Sequence, residues 1–140
     1  VKVIEEGTPA SYGGTWQAPS RRWVGLVPLG YGDGILRAAS NGAPVAVETD
    51  SGLVKAHIVG RICMDQFIID LGPAEGQEGT ATQDSGSAPA KVGDQAILFG
   101  DPAKGYPIAD EWAAHAGTIN YEVITRLGER IPRQYVNEEE

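Results

Sequence analysis

The sequence is poor in several residue types, and each shortage excludes a class. It holds one cysteine, Cys63, so no disulfide can form within the chain. With only His57 and His115 beside that thiol, a structural zinc site lacks ligands. A lone thiol fits a reducing compartment such as the cytoplasm. No stretch approaches the ~20 consecutive apolar residues of a membrane span, and no secretory signal pattern is present. Basic residues are scarce: Lys and Arg total 11 against 19 Asp and Glu, for a net charge of −8. The chain stays acidic even without the terminal Glu138, Glu139 and Glu140. That argues against a binder of nucleic-acid phosphates, which needs a basic face. At 140 residues the chain suits one domain and not two.

Glycine is the residue in excess, with 19 positions, which points to many turns. Between the turns lie short runs rich in Val and Ile: Trp23 to Leu29, Pro44 to Glu48, Leu53 to Ile62, Gln66 to Leu71 and Gln95 to Phe99. Their length and their Gly, Pro, Asn or Asp boundaries are the signature of strands. Val1 to Glu5 reads as a further strand already under way, so the chain is expected to be a piece of a longer protein. Ser40-Asn41-Gly42-Ala43 reads as a turn, because Asn-Gly tolerates positive φ. Val92-Gly93-Asp94 reads as another.

The segment 72–90 contains no Val, Ile, Leu, Met or aromatic residue. It cannot bury enough apolar surface to offset its ordering entropy, and a flexible inserted loop is expected there. The last forty residues change character. Asp110 to Ala116 is expected to be a short helix, with Asp110 as N-cap and Gly117 as its stop. Thr118 or Asn120 can cap a second helix, with Tyr121, Ile124 and Leu127 on one face and Gly128 as its stop. Pro132 to Val136 is expected to be extended, and 137–140 an acidic tail. The expected fold is all-β, a mainly antiparallel Greek-key-like barrel with two short α-helices near the C-terminus.

Generic constellations are weak. Gly30-Tyr31-Gly32-Asp33-Gly34 lacks the Lys-Ser/Thr of a phosphate loop and the spacing of a dinucleotide site, so a tight turn is the better reading. Cys63 reads as a structural thiol. His115 reads as half-buried on its helix, and His57 alternates within a strand without a partner signature. More unusual are tyrosines in glycine or turn contexts: Tyr12 in SYGG, Tyr31 in GYGDG, Tyr121 in TINYE. Such a tyrosine can present its phenol at a loop tip, although turn or edge packing is the simpler explanation from composition alone.

In order along the chain stand Ser11-Tyr12-Gly13, Leu29-Gly30-Tyr31-Gly32-Asp33-Gly34, Val59-Gly60-Arg61-Ile62-Cys63-Met64-Asp65-Gln66, Gly117-Thr118-Ile119-Asn120-Tyr121-Glu122 and Arg130-Ile131-Pro132-Arg133. This series resembles the C-terminal domain of the bacterial alanine racemases over residues 3 to 136, interrupted by the 72–90 loop. Gly32 stands where that family often has Ala. The resemblance implies an enzyme that uses pyridoxal 5'-phosphate (PLP) to interconvert L- and D-alanine, supplying D-alanine for peptidoglycan in the cytoplasm. It implies an N-terminal TIM-type barrel that holds the cofactor on a lysine. It also implies a homodimer in which one subunit's C-terminal domain completes the other's site.

On that resemblance Tyr12 takes the place of the catalytic tyrosine. Racemisation needs a proton-transferring group on each face of the substrate Cα, and the lysine serves one face while Tyr12 serves the other. A free phenol has a pKa near ~10, so work as a base at neutral pH needs its ionised form to be favoured. Met64 matches the residue whose backbone N–H faces the substrate carboxylate, and Asp65 the one that fixes that loop. Tyr31, Arg37, Arg61 and Ile119 match residues lining the substrate corridor. Tyr121 matches a tyrosine that reaches the PLP phosphate. Lys2, Lys55, Lys91 and Lys104 match no anchoring motif, so the chain alone is expected to be inactive. A racemase of the same family acting on serine or another amino acid fits these residues too. Without the motifs, composition favours a non-catalytic β interaction module.

Overall fold

The computed structural model describes residues 1–75 and 88–136. Among the described residues there are six strands: β1 (Lys2–Ile4), β2 (Arg22–Val27), β3 (Pro44–Thr49), β4 (Gly52–Val59), β5 (Phe67–Pro73) and β6 (Gln95–Ile97). They form one antiparallel sheet in the order β1-β2-β5-β4-β3-β6. β3, β4 and β5 are consecutive neighbours, and the long connection 28–43 runs from β2, which pairs with β5, to β3, which is a Greek-key arrangement. The antiparallel β class is therefore as expected. Closure into a barrel is not formed among the described residues: the sheet ends in β1 and β6, each only three residues long. It curls far enough for Leu26 and Val27 of β2 and Ala96 of β6 to line one apolar cleft, without backbone pairing across it.

Alternation along the strands sorts side chains into two cores. On β5, Phe67, Ile69 and Leu71 join the main core with Val45, Val47, Ile58, Ile62 and Trp112. Ile68 packs on the other side against Ile4, Ala18 and Val24, with Trp16. Arg22 and Asp70 lock β2 to β5 through two hydrogen bonds of 3.0 and 2.7 Å. Asp70 is buried, so this pair is charge-assisted and shielded from water.

The expected loop 72–90 is shorter than its composition suggests. Gly72 and Pro73 continue β5 opposite Trp23 and Arg22, past an extra residue that interrupts the register beside Val24. That pairing uses backbone alone, with Gly72 at φ 115° and its N–H donating to Asp70, so it needs no apolar side chain. At the other end Ala90 is buried in the main core. The remainder, 76–87, and the acidic tail 137–140 lie outside the described residues.

Among the described residues the α-helices are α1 (Ala109–Ala116) and α2 (Asn120–Thr125). Asp110 is not the cap of α1. The helix begins one residue earlier, and Glu111 instead accepts a hydrogen bond from the Ile108 N–H at 2.8 Å. Gly117 ends α1 in the left-handed conformation, as expected. Ile119 precedes α2 without a side-chain cap, so neither Thr118 nor Asn120 fills that role. Asn120 donates to Asp110 across the two helices instead. Tyr121 and Ile124 do share a face, and it is the exposed one, because Val123 and Leu127 take the core side. α2 stops at Thr125, three residues before Gly128, whose N–H is used by the Asp33 carbonyl. Arg133 donates to the carbonyls of Leu127, Gly128 and Ile131 and ties down the segment that follows. His115 is exposed rather than half-buried.

Candidate active site

Tyr12 sits at the tip of a hairpin excursion between β1 and β2. Pro9 bridges to Gln17 and the Ala10 N–H donates to the Trp16 carbonyl, so the tip is the turn Tyr12–Gly14. The residue before it is strained. Ser11 has φ 61° and ψ −175°, a region occupied almost only by glycine, at a cost of about 1–3 kcal/mol. Neighbours over-determine it: its hydroxyl donates to the Arg61 carbonyl at 2.7 Å and lies 3.4 Å from the Cys63 sulfur. Beneath it Gly60 has no room for a Cβ, which would stand 2.4 Å from the Ala10 carbonyl oxygen.

The Tyr12 hydroxyl accepts two hydrogen bonds from Arg37, at 2.9 Å from Nε and 2.7 Å from Nη2. The guanidinia of Arg37 and Arg61 stand 5.7 and 5.5 Å from the centre of the Tyr12 ring. Contacts of this kind contribute about 0.5–1 kcal/mol at exposed sites. Arg61 lies across Gly13, where a Cβ would meet its Nη1 at 2.5 Å. A guanidinium cannot accept a hydrogen bond, so the phenolic proton of Tyr12 is not taken up by Arg37.

A second knot joins the glycine-rich turn Tyr31–Asp33 to the connection between β4 and β5. The N–H groups of Tyr31 and Gly32 donate to the carbonyls of Cys63 and Met64 at 3.0 and 2.8 Å. The run is thus a close-packed turn. A Cβ on Gly30 would sit 2.2 Å from the Cys63 oxygen and 2.5 Å from that of Met64. Gly30→Ala is expected to destabilise the chain by about 1–3 kcal/mol through overpacking. A urea midpoint unchanged from wild type, at unchanged slope, would contradict that contact.

Arg130 closes the knot. Its Nε lies 3.2 Å from Asp33 and its Nη2 2.8 Å from Asp65. Both carboxylates hold the guanidinium charged, Asp65 chiefly through its hydrogen bond, raising its pKa above the ordinary value. Asp33 is buried and also accepts from the Gly30 N–H at 2.9 Å. The closing Arg-Ile-Pro-Arg run is visible in sequence, yet no role for Arg130 follows from it. The available signal was Asp33 itself, an acid inside a tight apolar-flanked turn that needs a cation.

The eight candidate residues therefore fall into groups. Tyr12, Arg37 and Arg61 form one cluster, and Tyr31, Met64 and Asp65 stand on the second knot. Ile119 and Tyr121 are exposed at the start of α2, and among the described residues no hydrogen bond engages the Tyr121 hydroxyl. Cys63 is half-buried between the two knots. Among the described residues, no cluster of three or more His, Cys, Asp or Glu could hold a metal ion. No helix there is long and apolar enough to cross a membrane.

Comparison with known proteins gives one consistent answer. The sequence model of the family described as "Alanine racemase, C-terminal domain" matches residues 1–135. The alanine racemase of Streptomyces coelicolor is 45% identical over 138 residues, covering 99% of this chain and 31% of that protein. That of Salinispora arenicola is 43% identical, covering 98% and 32%. The solved alanine racemase of Streptomyces coelicolor superposes with a TM-score of 0.77 at 42% identity, covering 98% of this chain and 31% of that one. The Bacillus anthracis alanine racemase, solved with bound L-Ala-P, gives 0.75 at 34% identity, covering 98% and 30%. The chain thus spans about a third of the length of the relatives it matches, and it belongs to the alanine racemase family, as the C-terminal domain of that fold.

Proposed function

We propose that this chain supplies one half of the active site of a PLP-dependent alanine racemase. The observation that carries the reading is that the aromatic and apolar residues of the family's motifs are exposed rather than packed. Tyr12, Tyr31, Met64, Ile119 and Tyr121 are all at least 42% exposed, and they are the residues that the family's motifs single out. Exposed side chains of this kind, on a domain with its own packed cores, fit a cover laid over a site held elsewhere. In this reading the cover is laid over the N-terminal barrel of a second subunit.

The donor set fits part of a PLP site. The Tyr121 hydroxyl is free to reach a phosphate, and the Met64 N–H carries no hydrogen bond among the described residues, leaving it free for a carboxylate. The lysines do not fit the anchoring role. Lys91 pairs with Asp50, Lys55 is exposed on β4, and Lys2 and Lys104 lie in β1 and the turn Pro102–Lys104. When bound, PLP would act as the sink for the electrons left at the substrate Cα. Tyr12 would hold or return the proton at that carbon, its oxygen kept in place by two Arg37 donors that bind it in either charge state. Arg61 and Arg37 would draw a carboxylate toward the site, with Tyr31 and Ile119 narrowing its approach.

The chain by itself is expected neither to racemise alanine nor to retain PLP, whereas the protein that includes the barrel does both. The check is racemisation by both forms, with borohydride treatment and mapping of any pyridoxyl label. A label fixed on Lys2, Lys55, Lys91 or Lys104, accompanied by racemisation, would overturn the division of labour.

A further inference from the structure

We propose that Asn41 is a positioning residue that aims the Tyr12 phenol, an inference resting on the reading of Tyr12 as the proton-transferring group. Asn41 has φ 57°. This is the left-handed conformation, which Asn tolerates better than most non-glycine residues. From it three polar groups reach two loops. The Asn41 Nδ2 donates to Thr15 Oγ1 at 3.0 Å, Oδ1 accepts from the Gly60 N–H at 2.7 Å, and its own N–H donates to the Gly60 carbonyl at 3.2 Å.

Each partner stands beside a member of the Tyr12 cluster. Thr15 closes the turn that carries Tyr12. Gly60 precedes Arg61, whose guanidinium faces the Tyr12 ring. Ser40, next to Asn41, donates to the Arg37 carbonyl at 2.6 Å and accepts from the Ile62 N–H at 2.9 Å. The hairpin tip is therefore held at both ends: by strained Ser11 before Tyr12 and by the Asn41–Thr15 bond after it. Between them Gly13 and Gly14 have φ of 76° and 57° and no side chains of their own to pin them. The amide presents a donor to Thr15 and an acceptor to Gly60 at once, whereas a carboxylate offers acceptors only. Asn41 makes no hydrogen bond to Tyr12, so it acts through the loop.

The test uses the full-length protein with Asn41→Gly, which keeps the left-handed backbone and removes both side-chain bonds. It is made in the wild-type and the Tyr12→Phe backgrounds. Misplacement of a reacting group by about 1 Å costs on the order of 10²-fold. Asn41→Gly is thus expected to lower kcat about 10- to 100-fold with bound PLP absorbance retained. It should slow exchange of the substrate α-hydrogen with heavy water on the Tyr12 face only. In the Tyr12→Phe background it should add less than about a twofold further loss, since residues acting through one group are not additive. Should Asn41→Gly fail to fold, Thr15→Val, which removes a single exposed hydroxyl, carries the same expectations. Equal fold losses in both backgrounds, equal slowing on both faces, or an unchanged kcat overturns the proposal. A Tyr12→Phe enzyme with full activity instead overturns the reading of Tyr12 on which the proposal rests.

Discussion

Replacing Tyr12 with Phe in the full-length protein is expected to leave the fold and bound PLP absorbance intact and to lower racemisation by several orders of magnitude. Phe keeps the ring and its contacts with Arg37 and Arg61. It removes only the oxygen, which accepts from Arg37 at 2.9 and 2.7 Å. Arg37 is exposed, so its freed donors return to water at little cost to stability. General acid–base groups contribute about 10²- to 10⁴-fold, and one without a substitute on its face belongs at the upper end. The loss should be one-sided. On the proposed division of labour a barrel lysine would still serve the other face of Cα, so α-hydrogen exchange should survive for one enantiomer while inversion stops. Deuterium uptake followed separately from L- and D-alanine is the measurement. If both enantiomers exchange at wild-type rates, Tyr12 is not the proton carrier and the strained hairpin tip is structural.

Trp112→Ala should have the largest effect on stability. Trp112 is 1% exposed at the centre of the main core. Its indole N–H donates to the carbonyls of Pro44 at 2.9 Å and Leu98 at 2.6 Å, pinning α1 to β3 and to the segment after β6. Truncation leaves a cavity and strips both carbonyls of that donor. The cost is expected to be about 3–5 kcal/mol. Trp112→Phe keeps most of the volume and loses only the donor, for about 1–3 kcal/mol. Denaturant unfolding of both variants checks the order. A shift smaller for Ala than for Phe would mean that the core collapses around the gap and that the hydrogen bonds dominate.

The strands were legible because each Val- and Ile-rich run is bounded by a residue that disfavours strand continuation. Gly60 is the exception: at a φ of 75° it stops β4 at Val59, inside the run Leu53 to Ile62 that reads as one strand. The turn at Asn41 was legible for the same local reason. The N-terminal helix caps were not, because Asp110 and Glu111 are both available acceptors and only the path of the chain from Ile108 chooses between them. The extension of β5 through Gly72 and Pro73 was hidden because backbone pairing with β2 leaves no mark in side-chain composition. Whether the sheet closes was hidden too, since it depends on the curl of the whole sheet and not on any one strand.

The sequence by itself determined the family and the antiparallel β class and offered the candidate site residues, since these depend on residue identity and short-range order along the chain. What only the tertiary structure decided is how those residues meet. Tyr12 lies 25 residues from Arg37, and Arg130 lies 65 from Asp65. Their encounter depends on three connections converging, through a hairpin tip strained at Ser11, an amide at Asn41 and a guanidinium shared between two carboxylates. Hydrogen bonds of that reach are set by the folded path of the backbone, and nothing in the spacing of residues along the chain encodes which donor finds which acceptor.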